Sequence, residues 1–597
     1  MTPDWRPHDI GGHAMISDGQ TAALIYEDAT IDWLCMPRFD SQACLASLLG
    51  TAENGGWWIG ATDAPLRTSR SYRDDTMILE TVIETEGGEV AIIDFMPVQR
   101  GEAPDIVRII EGRRGAVELE TRLALRFDHG RTHPMVRQHD DGEMLAIAGP
   151  NAVILRFCCC IGHQDRAFTG KFTVREGERK ALCLTWFESE SEVPRAIDPE
   201  KALEEAERFW RDWADKTEYE GIADKAVRRS LLTLKALVHE HTGGMVAAAT
   251  ASLPERPGGQ RNWDYRFCWL RDATFTLLGF LHTGHQDEAR EWIEWLRRAV
   301  AGEPIDVQPF YAIDGNRHSL EWEADWLQGF GDSRPVRFGN GAVGQVQLDI
   351  YGEVIDAICV ARCHGLAEDS DDLIAALAEK LETLWREPDA GIWESRGDLK
   401  HHVYSKVMCW VAFDRAAKML GDAMPERARR WRDLAEEVRE QVLTHGFNEN
   451  RGAFTRAFDD DALDGAVLRL PIVGFIDATD ERMRKTVDAI ERELMSGDMV
   501  YRYSNDTTDD GVGGAEGAFV AVGLWLADVY AQQGRSEDAR RLFDAALNSA
   551  NDLGLLSEEC WMEDGRQIGN IPQALSHVAL VNTALSISAD GRPPRLA

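Results

Sequence analysis

"PEKALEEAERFWRDWADK", residues 199–216, is where the sequence changes its period. Proline opens the run, acidic residues fill its first half and Lys216 closes it. That order suits a helix with a positive N-terminal end and a negative C-terminal end. On either side the chain reads differently. Upstream, "AALIYEDATIDWLC" (22–35) is two short β-rich runs around a turn. "ILETVIETEGGEVAIIDFMPV" (78–98) reverses at Gly87-Gly88, a hairpin signal. "DIVRIIEG" (105–112), "AVELETRLALRF" (116–127), "EMLAIAG" (143–149), "AVILRFCCC" (152–160) and "KALCLTWFE" (180–188) follow at short intervals. Many short alternating strands in one block predict a β-sandwich over residues 1–198.

Downstream the pattern is helical. Candidate helices begin near 225, 271, 286, 345, 370, 403, 424, 462, 479, 515, 536 and 572. Short links alternate with long loops rich in Gly, Pro and Trp, such as 243–270, 302–344 and 498–514. Six helical hairpins with one long connection each would close into an (α/α)6 barrel over 223–597, with 199–222 as a linker helix. A superhelical repeat array is the rival, but no fixed sequence period supports it. Long loops at one end of a rigid toroid would build a concave site.

Totals narrow the function. A chain of 597 residues exceeds one ordinary domain. With 44% apolar and 28% charged residues it is globular. A formal charge of −37 argues against nucleic acid and against an anionic membrane surface. It is compatible with a small neutral or cationic substrate, and equally with an acidic surface that only confers solubility. The start "MTPDWRPHDIGGHAMISDG" has no basic stretch or apolar core, unlike a signal peptide. The most apolar run, "GAFVAVGLWLADVYA" (517–531), is stopped at Asp528, short of a membrane span. Eleven cysteines, with no C-x-x-C pair and with "CCC" at 158–160 in a strand-like run, predict reduced thiols and a cytoplasmic protein. A homo-oligomer is compatible with all of this.

Two acidic positions stand apart from the other carboxylates. Glu394 follows Ile392 and Trp393 in a Gly-flanked loop, "DAGIWESRG" (389–397). An apolar wall there would raise its pKa, as a general acid requires. The structural alternative is a Glu beside a packing Trp. Glu558 and Glu559 lie in "GLLSEECWMEDG", just before a helix. One could serve as a base and the other could accept a sugar hydroxyl; the alternative is an acidic loop. Two carboxyl groups are the minimum equipment of a glycoside hydrolase. Trp263, Trp269, Trp393 and Trp561 fall in loops, where aromatic faces stack on sugar rings. In "RNWDYRFCWLRDATFTL" (261–277), Arg and Asp could divide a sugar's hydroxyls, or could form a buried network tying a loop to a helix.

That stretch resembles the signature of glycoside hydrolase family 15, which contains bacterial and archaeal glucoamylases and trehalases. "TAALIYEDATIDWLCMPRFDS" (21–41), "SRPVRFGNGAVGQVQLDIYGEVIDA" (333–357), "GIWESRG", "YSKVMCW" (404–410), "EGAF" (516–519), and "LLSEE" with "GNIPQALSH" (555–577) follow in family order. The resemblance implies a β-sandwich on an (α/α)6 barrel and exo-attack with inversion at a terminal α-glucosyl unit. It makes Glu394 the general acid and Glu558 the general base. It gives Trp269, Arg271 and Asp272 the glucosyl ring, with Arg502 as a second clamp and Trp393 beside it. Trp263 and Asp264 would join the same pocket, and Glu559 would face the leaving group. No starch-binding appendage is found. The loop 505–514 is unusually acidic and Gly-rich, and Tyr404 stands where relatives often have His. Both leave substrate choice open.

There is no H-E-x-x-H, G-x-S-x-G, P-loop or zinc-spaced Cys set. No metal and no cofactor are expected. The favoured reading is an intracellular trehalase, with a glucoamylase or isomalto-type glucosidase as the alternative. A non-catalytic sugar-binding protein and a phosphorylase are the other classes; the acid–base pair argues against the first, and no anion subsite is seen for the second.

Overall fold

The computed structural model describes residues 9–98, 103–139, 143–157, 161–300, 307–317 and 319–589. The run at 158–160 lies outside them. Every strand pairing among the described residues is antiparallel. The first part of the chain forms two sheets that share one strand, Asp105–Ala124. Its first half pairs with Gly88–Phe95 and Arg179–Glu188. Its second half pairs with Gly56–Ala61 and Ala167–Arg175. The two runs at 105–112 and 116–127, which read as separate strands, are one 20-residue strand crossing between the sheets. A single turn, α1 (Phe127–Gly130), follows it, with Asp128 and His129 in left-handed backbone at φ +56° and +52°.

Helix α2 (Pro199–Ala214) has Pro at its first position and Asp198 as its cap, accepting from the Glu200 and Lys201 amides. Its buried face is Ala202, Leu203, Ala206, Trp210 and Trp213. Among the described residues, twelve helices follow in two kinds. The inner set is α4 (Leu270–His282), α6 (Asp349–Cys363), α8 (Val403–Met419), α10 (Arg469–Ile472), α12 (Val520–Gln532) and α14 (Ala574–Ser588). These pack in succession, and α14 returns to α4 to close the ring. The outer set is α3 (Asp224–Ala236), α5 (Gln286–Ala299), α7 (Asp371–Leu384), α9 (Pro425–Gln441), α11 (Glu481–Glu493) and α13 (Ser536–Asn548). Sequence explains the division. Inner α12, "VAVGLWLADVYAQ", is apolar on nearly every side and buried on nearly every side. Outer α13, "SEDARRLFDAALN", buries only Ala539, Leu542, Phe543 and Ala546 and turns its charges outward. α10 is a stub because Pro471 and Gly474 lie where a longer inner helix would run. No helix among the described residues is long and apolar enough to cross a membrane.

The sheets brace one end of the ring. Trp33 donates its indole N–H to the Ala249 carbonyl at 2.9 Å. Ser17 donates to the Ala236 carbonyl at 2.8 Å, and Arg70 pairs with Asp552. Long loops at that end therefore start from fixed points.

Candidate active site

The loop leading into α4 is locked before any ligand arrives. Arg266 binds Asp264 through Nε at 2.9 Å and Nη2 at 2.7 Å. Its Nη1 donates to the Ser41 carbonyl at 2.6 Å, so the sheets help set this loop. Asp264 also accepts the Gly339 amide at 3.0 Å and is fully buried. It orders the loop and does not reach the pocket, unlike its expected place among the substrate ligands. Trp269 is extended and caps α4, so Arg271 and Asp272 occupy the first helical turn. The anionic Asp272 suits that positive helix end.

Trp263, Trp269, Arg271, Asp272, Trp393, Glu394, Arg502 and Glu558 line one pocket of about 840 Å³, mouth included. The order Ile392–Trp393–Glu394 suggests an apolar wall beside the acid, but the structure gives Glu394 donors instead. Its Oε1 accepts from Trp269 Nε1 at 2.6 Å, Gln347 Nε2 at 3.3 Å and Arg271 Nη2 at 3.4 Å. Trp393 directs its own N–H to Asp464 at 2.8 Å and packs on Phe519. Glu394 sits at φ +57°, a left-handed conformation uncommon outside glycine. Arg271 is aimed by Asp349, whose Oδ2 accepts its Nη1 at 3.1 Å. Burial raises Asp272 to about 6 against the pull of Arg271.

Glu558 is buried on the other set of loops. Its Oε1 accepts from the Tyr265 hydroxyl at 2.9 Å, while Oε2 has no partner among the described residues. Burial, then the neighbouring charge of Glu255, holds its pKa well above the usual carboxylate range. Gly569, at φ +75°, passes so close that an added Cβ would meet Glu558 Oε2 at 3.0 Å.

Glu559 is the first residue of the short strand that follows. It is fully buried, accepts the Gly517 amide at 2.6 Å and does not line the pocket. A position facing the leaving group is therefore not where it lies. One oxygen each of Glu255, Glu516 and Glu559 lies within 4.8 Å of the others. Arg502 binds Glu516 at 2.6 and 2.7 Å and Glu255 at 3.3 Å, and Arg261 reaches Glu516 at 3.2 Å. Two guanidinium groups thus supply the countercharge, and a cation is not needed to account for the cluster. Arg502 lines the pocket, but only its Nη1 is left without a protein partner among the described residues. Trp263 carries the guanidinium groups of Arg396 and Arg337 at 4.3 and 4.7 Å from its ring centre, so it is already packed. Trp561 lies outside the pocket, on a separate surface hollow.

Sequence reasoning passed over Tyr265, Glu255, Asp349 and Asp510. Tyr265 lies inside the quoted stretch but reads as one more aromatic. Glu255 ("SLPERPGG") and Asp510 carry no local signal beyond their loops.

A model described as glycosyl hydrolases family 15 matches residues 221–585, and one described as trehalase-like, N-terminal, matches residues 5–162. A trehalase of Mycolicibacterium smegmatis is 33% identical, over 97% of this chain and 91% of the relative. A trehalase of Thermoplasma acidophilum is 34% identical, over 94% and 97%. The crystal structure of a bacterial glucoamylase complexed with acarbose superposes with a TM-score of 0.75 at 14% identity, covering 98% of this chain and 94% of that one. That last likeness speaks to the fold. The chain is a glycoside hydrolase, and it belongs to glycosyl hydrolases family 15.

Proposed function

We propose that the protein is an inverting, exo-acting α-glucoside hydrolase whose substrate is α,α-trehalose. The observation that carries this is one pocket lined by both Glu394 and Glu558, with Trp269, Arg271 and Asp272 beside them. The relatives named trehalase support the choice of substrate.

Glu394 is the general acid. Three donors pin Oε1 as an acceptor, which leaves Oε2 to carry the proton. That proton passes to the glycosidic oxygen as the C1–O bond breaks. Glu558 is the general base. Its unpartnered Oε2 accepts a water, which attacks C1 from the opposite face and gives up its proton. The carboxyl groups of such a pair stand roughly 6.5–9.5 Å apart, with the water between. Asp272 accepts a hydroxyl of the gripped ring, and Arg271 holds both that ring and Glu394. The attacked ring leaves as β-glucose. The other departs with its α configuration untouched. The two protons balance through solvent, so the step needs neither metal nor cofactor. We place the enzyme in the cytoplasm: the described cysteines are free thiols, the state that a reducing compartment keeps.

The test is a proton NMR time course with trehalose, maltose and isomaltose in parallel. Equal first amounts of α- and β-glucose from trehalose support the proposal. Only α-glucose at first would overturn inversion. Turnover of maltose or isomaltose without trehalose would replace trehalase by a glucoamylase or isomalto-type glucosidase. Binding without turnover would make the protein a sugar binder.

A further inference from the structure

The acidic, Gly-rich loop 505–514 is the one motif that the acid–base pair does not account for, and it is not a loose flap. Its Asp510 is 6% exposed and reaches in two directions. The backbone carbonyl accepts the Arg396 amide at 2.7 Å and the Ser395 hydroxyl at 3.4 Å. Those two residues directly follow Glu394. The carboxylate accepts from Arg261 Nη2 at 2.5 Å, from the Tyr503 hydroxyl at 2.7 Å and from the Val512 amide at 3.0 Å. Arg261 continues to Glu516 and Glu255, beside the base. The contact is close enough to require glycine. Gly511 sits at φ +81°, and a Cβ there would run into the Arg396 carbonyl carbon.

We propose that Asp510 is a positioning residue: its carboxylate is fastened to the Arg261 cluster on the base side, and its carbonyl thereby holds the loop that presents Glu394. This rests on Glu394 being the general acid. The need for a brace is visible at Glu394 itself, which keeps a sparsely populated backbone conformation. Between Glu394 and the rest of the protein, the loop's amides at 394 and 395 bond only within the loop, to Gly391 and Ala390. From outside, Gln345 Nε2 donates to the carbonyls of Glu394 and Ser395 at 3.1 and 3.2 Å, and the Asp510 carbonyl takes the Arg396 amide. If the Asp510 side chain lets go of Arg261 and Tyr503, its carbonyl shifts and the acid moves with it.

Asp510→Ala and Tyr503→Phe test this on two substrates, trehalose and α-glucosyl fluoride. Fluoride leaves without a proton, so its departure does not depend on a well-placed acid. We expect Asp510→Ala to lower kcat on trehalose by about 10²-fold, the worth of a placed general acid, and on the fluoride by less than about tenfold. Tyr503→Phe, which keeps the Arg261 tie, should show the same selective loss at smaller size and guards against a variant that fails to fold. KM should change by less than about threefold on either substrate, because the ring-gripping residues are untouched. Parallel losses on both substrates, or none on either, overturn the proposal. If the wild type hydrolyses the fluoride and maltose but not trehalose, the substrate reading fails on its own, and the comparison is read with maltose in its place.

Discussion

Asp528 is an ionisable group on an inner helix, and its effect on stability can be worked out. It lies on α12, 5% exposed, within a helix otherwise apolar all round. Thr583 donates to its Oδ2 at 3.1 Å, and its Oδ1 has no partner among the described residues. Burial raises its pKa to about 7, against hydrogen bonding and a weak pull from Arg469. In the unfolded chain it returns to about 3.9. Below pH 4 both states are protonated and the residue costs nothing. From pH 4 to 7 the unfolded state ionises while the folded state holds its proton, so stability falls as pH rises. Above pH 7 both are ionised and the loss is complete. The gap between the unfolded and folded pKa values corresponds to about 4 kcal/mol. Asp528→Asn removes the titration while keeping shape and an acceptor. With about 2.1 cal/mol/K of unfolding entropy per residue over the whole chain, the variant should melt about 3 °C above wild type at pH 8. A calorimetric series from pH 4.5 to 8.5 should show that gap growing from about a quarter of its full size and levelling near pH 7. A gap that stays constant across this range, or shrinks as pH rises, would refute the reasoning.

Three further outcomes bear on the pocket. Glu558→Gln should lower kcat on trehalose by at least about 10³-fold with KM within about threefold, measured by glucose release under steady-state conditions. Tyr265→Phe removes the hydroxyl that favours ionised Glu558, so the base keeps its proton to higher pH. The acid-side limb of the kcat/KM profile should move to higher pH, and an unmoved limb would show that Tyr265 does not act through Glu558. Gly569→Ala combines an unfavourable φ with a contact on Glu558 itself. It should cost more than about tenfold in kcat with little change in KM, in the same steady-state assay.

Much of the fold can be read from the sequence because each half obeys one rule over many residues. Period-two strands and Gly-Gly reversals mark the sheets. Helices that alternate between all-apolar and one-sided mark the inner and outer rings. The join at 112–116 escapes that rule. Gly112 and Gly115 look like a turn, yet the backbone runs on through them as one strand that changes sheets. The run read as a helix from about 462 is α10, but Pro471 and Gly474 leave it a stub of Arg469–Ile472.

The site is harder to read for a physical reason: burial decides what a carboxylate does, and burial is a tertiary property. Glu558 and Glu559 are neighbours of the same type in the same loop. Glu558, just before the strand, lines the pocket, while Glu559, the first strand residue, lies behind it against the Gly517 amide. Asp264 and Asp272 divide in the same way. Asp264 is consumed by Arg266 and the Gly339 amide, whereas Asp272, in the first turn of α4, faces the cavity. Arg502 stands between these cases, lining the pocket while spending two of its nitrogens on Glu516 and Glu255. Residue type therefore narrows the candidates, and the partner already bound decides among them. A side chain whose hydrogen-bonding capacity is filled by protein can shape a sugar site, but only one with an atom left over can act on the sugar. Within the pocket Glu394, Glu558 and Asp272 keep such an atom, as do Arg502 Nη1 and Glu255 Oε1, whereas Asp264 does not and lies outside it.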